Sequence, residues 1–352
     1  RIEINDGYGK MGSEEGDDSG ITREDVAKRA GVSVSAVSRA MNHRGYVAKD
    51  KKEAIYKAVE ELGYRPNPLS HSLKNRQTYQ LCFFGADIYN SFYMELFNYM
   101  SDYAAGRGYT MFLFSEFNEE RVKTMLMDGM IVENDTVAEK VQALLGEQFF
   151  MPIVTASYGS PIVSLKRIPY VDVDTHDAVE IGLAYLKKMG HKKTAFATPY
   201  DFFGDSRVNP RHVAFGNQMR PVYGKRLKDY VIDNTGKARL PFARENFFEE
   251  GMNCADQFLA RNCDATAVIC FNDEFALGMI RRFEQMGIRI PDDLSILGID
   301  GIENRKYVTP FLSSVSLNIK EQAECCVSTL LDMIEGRRVT FFNSIKTYLV
   351  EG

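Results

Sequence analysis

The residues between Ser33 and Asn42 have side chains suited to contacting a nucleic acid. Ser33 is a good helix N-cap and apolar residues follow it at helical spacing, so a short helix is predicted through about Asn42. Val34, Ser35 and Ser38 would lie near the exposed amino end of that helix. A valine suits apolar contact with a thymine methyl group, and a serine hydroxyl donates or accepts at a base edge.

Arg39 adds a cation one turn further along the same helix. A guanidinium can pair with the edge of guanine or hold a phosphate, and the sequence leaves both roles open. Three-helix units also occur as plain packing modules, in which such an arginine is merely solvated. The charge of the surrounding segment therefore has to decide between the two interpretations.

A three-helix unit is predicted to position these residues. Thr22 is a good N-cap for the first helix, and Asp25 three residues later complements the helix start. Gly31 ends that helix, and a third helix is predicted from about Lys49 to Leu62. Two short helices joined by a glycine turn allow the second to lie in a major groove while the first crosses the DNA backbone.

The charge of this segment favours DNA binding over simple packing. Between Ile21 and Gln80 twelve basic and six acidic residues give a net charge of +6, whereas the whole chain of 352 residues carries −5. A basic module on an acidic body indicates one local site for a polyanion. Lys49, Lys51 and Lys52, near the start of the third helix, are expected to contact phosphates.

From Tyr79 onward the pattern changes to apolar runs of strand length separated by helical stretches, such as His176–Met189 and Glu274–Met286. This alternation predicts parallel sheets covered by helices, in two units. The predicted strands are Gln80–Phe84, Thr110–Phe114, Gly129–Val132, Ile153–Ala156, Tyr170–Val173, Lys193–Ala197, Asp229–Ile232, Ala267–Phe271, Ser295–Ile299 and Ser344–Val350.

Several stretches together resemble one known family, the lactose-repressor (LacI/GalR) regulators. They are Ile21–Ser33 and Ala36–Asn42 in the helical segment, Leu62–Asn67 and Ser72-Leu73 after it, and Asp87–Tyr93, Gly190-His191, Asn272-Asp273 and Gly298–Asp300 in the larger part. The resemblance extends from Ile21 to the end of the sequence. It implies a helix-turn-helix headpiece, a hinge, and a two-lobed α/β core like that of periplasmic binding proteins.

The resemblance also implies how DNA is bound. Leu73 in the hinge corresponds to a leucine that opens a central base step from the minor groove, although packing against the core is the alternative role. The hinge would order only on DNA beside its dimer mate, which implies a homodimer on a roughly palindromic operator. The predicted DNA-binding residues are Thr22, Ser33, Val34, Ser35, Ser38, Arg39, Asn42 and Leu73.

An effector site between the two lobes is the second implication. Its residues resemble the family's effector contacts: Asp87, Phe92, Tyr93, Arg211, Asn272 and Asp273. An aromatic face can stack on a sugar ring, and a carboxylate and a guanidinium in one cleft can bind adjacent hydroxyls, so a sugar is expected. Each aromatic could instead be ordinary core, and Asp273 could cap the helix that follows it.

Other classes of function lack their usual signals in this sequence. There is no GxxxxGK phosphate loop, no nucleophile elbow and no histidine-rich metal spacing, so neither an enzyme nor a cofactor or metal site is expected. The six cysteines are scattered without a CxxC pair, which indicates reduced structural thiols. With no apolar run of about 18 residues and no secretion signal near the start, no membrane partner and a cytoplasmic location are expected.

These observations predict a DNA-binding transcriptional regulator, expected to be a repressor, whose operator affinity responds to a small effector. The predicted segments are a disordered tail (1–20), the headpiece (21–66), a hinge (67–78) and the core (79–352). Two alternatives stay open: a catabolite-type global regulator controlled by a protein corepressor, and a sugar-binding protein without a regulatory role. The second would have no use for the basic helical head.

Overall fold

The computed structural model describes residues 21–41, 45–64, 77–85, 88–115, 118–146, 151–159, 165, 167–204, 209–233 and 246–352. The chain separates into two compact units, Arg1–Thr78 and Tyr79–Gly352. Within the described ranges, no helix combines the length and the apolar character needed to cross a bilayer.

The first unit contains the predicted three helices, α1 (Arg23–Ala30), α2 (Val34–Met41) and α3 (Lys49–Leu62). Gly31 and Gly63 end the first and third helices in the left-handed conformation, with φ of 66° and 64°, which glycine adopts without steric cost. A small apolar core holds the helices together. Its buried members are Val26, Ala27, Ala36, Val37, Ala40, Ile55, Ala58 and Tyr64.

The second unit has two lobes, each built on a six-stranded sheet. The sheet of lobe 1 has the order β11-β5-β4-β3-β1-β2, and its paired strands are parallel throughout. Its strands are β1 (Gln80–Phe84), β2 (Thr110–Phe114), β3 (Gly129–Val132), β4 (Ile153–Ser157), β5 (Tyr170–Val173) and β11 (Phe342–Ile345). Its helices are α4 (Ser91–Ala105), α5 (Glu119–Thr124), α6 (Asp135–Leu145) and α11 (Ile319–Ile334).

Lobe 2 repeats this arrangement with the strand order β12-β10-β9-β8-β6-β7, in which only β12 is antiparallel to its neighbour. Its strands are β6 (Thr194–Thr198), β7 (Val231–Asp233), β8 (Ala267–Cys270), β9 (Ser295–Asp300), β10 (Ser314–Ser316) and β12 (Tyr348–Val350). Its helices are α7 (Thr175–Lys188), α8 (Pro210–Tyr223), α9 (Phe247–Ala260) and α10 (Asp273–Gln285), with 3-10 turns at Gly224–Tyr230 and Glu303–Tyr307.

The chain crosses between the lobes after β5, after β10 and between β11 and β12. These three crossings place the carboxyl ends of the parallel strands of both lobes around one cleft, which is where α/β sheets bind ligands. The predicted fold class is therefore confirmed.

The tail of the chain differs from its prediction. Ser344–Val350, expected to be one strand, is divided between β11 in lobe 1 and β12 in lobe 2. The predicted strand Asp229–Ile232 is also shifted, because a 3-10 turn occupies its first half and the strand begins at Val231. At the tail the periodicity indicates extended backbone but not which sheet it joins, and at Asp229 it places the start of the strand two residues too early.

Gly298 in β9 provides a test of the packing around the cleft. A Cβ atom there would lie 2.0 Å from Asp273 Oδ1. We expect Gly298→Ala to lower the free energy of unfolding by roughly 2–4 kcal/mol, since buried overpacking has costs of this order.

Urea denaturation followed by circular dichroism measures this loss of stability. Gly106→Ala is the matched control, because its Cβ would meet only ordinary contacts at 3.6 Å. Equal stabilities of the two variants would show that the region around Asp273 is not tightly packed.

Candidate functional sites

Helix α2 presents one polar face and one buried face. Val34, Ser35 and Arg39 are exposed, with 38% of Val34 accessible, whereas Val37 and Ala40 on the opposite side are buried in the core of the unit. The predicted base-contacting residues thus lie together on the free side of the second helix, as a helix-turn-helix reader requires.

Local hydrogen bonds hold the start of this helix. Ser33 Oγ accepts from the Ala36 amide at 3.3 Å and lies 3.0 Å from Ser35 Oγ, so Ser33 is the N-cap that the sequence predicts. Arg39 Nε donates to the carbonyl of Ser35 at 3.2 Å, which keeps the guanidinium beside the amino end of the helix.

Of the four remaining predicted DNA contacts, two lie within the described residues and two do not. Thr22 is exposed and forms a capping box with Asp25, in which its amide and hydroxyl donate to Asp25 Oδ2 at 2.8 and 2.7 Å. Ser38 is half-buried. Asn42 and Leu73 lie outside the described residues, so their roles stay predictions.

The cleft of the second unit contains a buried ion pair. Arg211, in the first turn of α8, is 11% exposed, and its guanidinium lies 3.5 Å from Asp300 Oδ1 and 4.7 Å from the centre of the Phe271 ring. Arg211 Nε is buried and, among the residues that the structure describes, has no hydrogen-bond partner. A buried orphan donor is unfavourable, and such groups in native structures commonly mark a site for another polar group.

Asp300 is the residue that sequence reasoning missed. It ends β9 and has a φ of 125°, a conformation that non-glycine residues rarely adopt and that is concentrated at functional sites. Burial raises the pKa of its carboxyl well above the ordinary value, while the Arg211 guanidinium opposes this shift. In the sequence, its position directly after the predicted apolar strand Ser295–Ile299 was the signal that could have identified it as a site residue.

Asp273, by contrast, makes its hydrogen bonds inside lobe 2, and its predicted effector contact stays a prediction. Its side chain is fully buried. Its carboxylate accepts from the amides of Gly301 and Ile302 at 2.7 and 2.9 Å and from Ser314 Oγ at 2.6 Å. Because both oxygens are bound inside lobe 2, this group holds the turn after β9 against the start of α10.

The predicted effector contact of Asn272 also stays a prediction, and the structure gives this residue a second role. It is almost fully buried, and its side-chain oxygen accepts from the Phe275 amide at 2.9 Å, so Asn272 is the N-cap of α10. The cap that the sequence analysis considered for Asp273 therefore belongs to the preceding residue.

Lobe 1 contributes an aromatic wall. Phe92 and Tyr93, at the start of α4, pack edge-on against Tyr158, with ring centres 5.5 and 6.3 Å away. The Tyr158 hydroxyl is buried and has no hydrogen-bond partner in the described part of the chain, and burial raises its pKa well above the ordinary value. Tyr158 was not predicted, although it directly follows strand β4. Asp87 lies outside the described residues.

The aromatic wall and the ion pair lie close together. A Cβ atom at Gly159, next to Tyr158, would lie 3.4 Å from Pro210 Cβ, next to Arg211. The charge of Asp300 also contributes to the raised pKa of Tyr158. Aromatic faces and a neutralised guanidinium–carboxylate pair can together bind an uncharged ring that carries hydroxyl groups. Within the described ranges, no group of three or more His, Cys, Asp or Glu residues could hold a metal ion.

Comparison with known proteins identifies the chain. Residues 22–67 match the family of bacterial regulatory proteins, lacI family, and residues 183–351 match the periplasmic binding protein-like domain. The chain belongs to the LacI family. HTH-type transcriptional repressors PurR from Vibrio vulnificus and Vibrio atlanticus are 26% and 28% identical to it, over 90% of this chain and 92% of each relative.

Solved structures agree with this assignment. The Lac repressor bound to ONPG in the repressed state matches with a TM-score of 0.74 and 20% identity, over 94% of this chain and 98% of that one. The CelR–cellobiose complex matches with a TM-score of 0.61 at the same identity and coverage. This LacI-family chain is a transcriptional repressor with a helix-turn-helix DNA-binding head, and its relatives are repressors and not enzymes.

The buried carboxylates predict a pH dependence of stability. Burial raises the pKa of Asp273 to about 7, although its hydrogen bonds oppose the shift. Between about pH 4 and pH 7 the native chain therefore retains a proton that the unfolded chain has lost. We expect the free energy of unfolding to decrease as the pH rises through this window and to level off above it.

Urea denaturation at several pH values tests this expectation. Asp273→Asn should show a smaller slope than the parent chain, with the part due to Asp300 retained. Asp293→Asn is the control, because Arg289 lowers the pKa of Asp293 to about 2, outside the window. A parent stability that rises between pH 5 and pH 7 while Asp273→Asn stays flat would contradict the assignment.

Proposed function

We propose that this repressor binds a roughly palindromic operator as a homodimer and that an uncharged sugar in its cleft controls operator affinity. The head reads bases through Val34, Ser35 and Arg39, and Leu73 inserts into the minor groove at the centre of the operator. Such a protein acts where a bacterium keeps its chromosome, in the cytoplasm.

The exposed face of α2 supports the DNA-binding part of the proposal. Its three outward side chains offer an apolar group, a hydroxyl and a guanidinium within two turns, while Ala36 and Val37 hold the helix in place. Lys49 and Lys51 at the start of α3 are exposed, as phosphate contacts require.

An aromatic surface on lobe 2 supports the homodimer. Phe248 and Tyr307 are 41% and 79% exposed, and together with Leu277 they line a groove of about 680 Å³. Arg281 and Glu284 of α10 lie along the same groove. Arg281 and Glu284 pair with each other at 3.9 Å within one chain, so this face carries both charges, as a self-complementary surface of a symmetric dimer requires.

The Arg211–Asp300 pair supports the effector part. The pair neutralises its own charge, so an uncharged ligand enters without an unpaired ion. Arg211 Nε and the Tyr158 hydroxyl, which lack a partner among the described residues, supply hydrogen bonds to hydroxyl groups. Tyr93 and Tyr158, which are partly exposed, stack on the ring, and Phe92, which is only 6% exposed, supports them from the core. The structural neighbour CelR was solved with cellobiose, a ligand of this kind.

A selection experiment tests base reading by the head. The purified full-length chain selects duplexes from a random pool, and the recovered operator is then titrated with Arg39→Ala and Ser35→Ala. We expect about a tenfold or greater loss of operator affinity for each variant, because one base contact contributes roughly 1–3 kcal/mol of discrimination.

Arg29→Ala is the matched control for this experiment. It removes the same charge from the same unit, but Arg29 lies on α1 and pairs with Glu61 at 2.5 Å. Should Arg39→Ala weaken all duplexes equally and no more than Arg29→Ala, Arg39 would be a phosphate contact and not a base contact.

The cleft is tested with neutral sugars, including ribose, lactose and cellobiose, added to the protein–operator complex. We expect Arg211→Ala and Asp300→Asn to bind the operator within about twofold of the parent and to lose the sugar response. Their sugar affinity should fall at least tenfold, since each change leaves a charged hydrogen-bonding partner unpaired. Fluorescence anisotropy of the operator and calorimetry with each sugar measure the two affinities.

Arg226→Ala serves as the control, because Arg226 is an exposed arginine of the same lobe that pairs with Asp229. A parent chain that binds none of a broad panel of neutral sugars would rule out the sugar. Arg211→Ala retaining a full sugar response would place the effector elsewhere.

A further inference from the structure

A carboxylate of lobe 2 is hydrogen-bonded to the first residue of a helix in lobe 1. Glu274 Oε1, on the first turn of α10, accepts from the Ser91 amide at 3.0 Å and from the Ser91 hydroxyl. Asn304 Nδ2, also in lobe 2, donates to the same Ser91 oxygen at 3.1 Å. These three residues form the interlobe contact, which uses both the donor and the acceptor capacity of the serine hydroxyl.

The interlobe contact is electrostatically favourable. Ser91 is the first residue of α4, so its amide has no carbonyl partner within the helix. The Glu274 carboxylate satisfies that amide and places a negative charge at the positive end of the helix. A charge-assisted bond to a backbone amide is stronger than a bond between two neutral groups.

A second connection lies one turn further along α4. Glu95 Oε1 accepts from the Glu303 amide of lobe 2 at 2.7 Å, and burial raises the Glu95 pKa. Ser91 and Glu95 are four residues apart and therefore share one face of the helix. The two connections together fix both the position and the direction of α4 relative to lobe 2.

The neighbours of the interlobe contact are the residues of the cleft. Ser91 directly precedes Phe92 and Tyr93, which form the aromatic wall, and Glu274 directly follows Asp273, which orients the turn after Asp300. Any change in the distance between Glu274 and Ser91 therefore moves the aromatic wall relative to the Arg211–Asp300 pair.

We propose that Glu274 is a positioning residue for effector binding, which holds the two lobes in the closed arrangement by bonding to the amino end of α4. The proposal rests on the proposed function, which explains why a closed arrangement matters. An effector that contacts both lobes binds only where the aromatic wall and the Arg211–Asp300 pair are both in place. Removing the carboxylate shifts the population from the closed to the open arrangement and lowers the fraction competent to bind.

Interlobe distances in the full-length chain test the proposal without any sugar or DNA. Nitroxide labels are attached through Lys123→Cys in lobe 1 and Lys228→Cys in lobe 2, both exposed, after Cys263→Ala and Cys325→Ala remove the partly exposed thiols. Labelled chain is mixed with excess unlabelled chain, and distance distributions are measured by double electron–electron resonance. In Glu274→Ala the open population should increase about tenfold, the effect of losing a charge-assisted bond.

Three further variants separate positioning from general stability. Glu274→Gln retains an acceptor oxygen and should restore most of the parent distribution. Ser91→Ala retains the amide bond and should give a smaller increase than Glu274→Ala. Glu180→Ala should leave the distribution unchanged, because Glu180 makes its 2.8 Å bond with Gln218 between two helices of lobe 2.

A Glu274→Ala distribution identical to that of the parent would overturn the proposal, as would an equal change in Glu180→Ala. If circular dichroism shows that Glu274→Ala is unfolded, the comparison of Ser91→Ala with Glu274→Gln decides instead. Because no sugar or operator is present, failure of this test leaves the proposed function untouched. Failure of the sugar panel likewise leaves the distance result intact.

Discussion

The Asp273 carboxylate joins three parts of lobe 2, and the geometry of the cleft depends on it. Its oxygens accept from the amides of Gly301 and Ile302 after β9 and from the Ser314 hydroxyl on β10, while its own backbone begins α10. A fully buried carboxylate is tolerable only when it is bound in this way. Because Gly301 is held by that carboxylate, the preceding residue, Asp300, is kept in its unusual conformation beside Arg211.

Asp273 and Asp300 have different roles because their carboxyl groups have different surroundings. Donors of its own lobe surround the first, which therefore stabilises the fold. The second lies 3.5 Å from a guanidinium whose Nε has no partner within the described ranges. Fixed polar groups with unused hydrogen-bonding capacity are what a specific ligand site requires. The binding surface is thus assembled from two lobes. The relative position of its binding groups depends on how the lobes are held together.

Contacts at the start of α4 connect this surface to the arrangement of the lobes. The three chain crossings leave the lobes joined by short connections, and such connections permit hinge motion. Glu274 and Glu95 bind the same helix face from lobe 2, at Ser91 and through the Glu303 amide. A repressor needs two arrangements close in free energy, and a few hydrogen bonds of this strength are enough to choose between them.

The sequence by itself determined the helices of the head, including the Thr22 capping box and the Ser33 cap, and most strands of the core, because caps and periodicity are local properties. It also marked Arg211 and the aromatic pair Phe92 and Tyr93. Tertiary structure alone decided that the Asp273 carboxylate accepts hydrogen bonds from two backbone amides of its own lobe. It also decided that Asp300 and Tyr158 complete the cleft, and that the last segment is divided between two sheets. These outcomes depend on which groups meet after the chain has crossed between lobes, and residue spacing carries no record of such distant contacts.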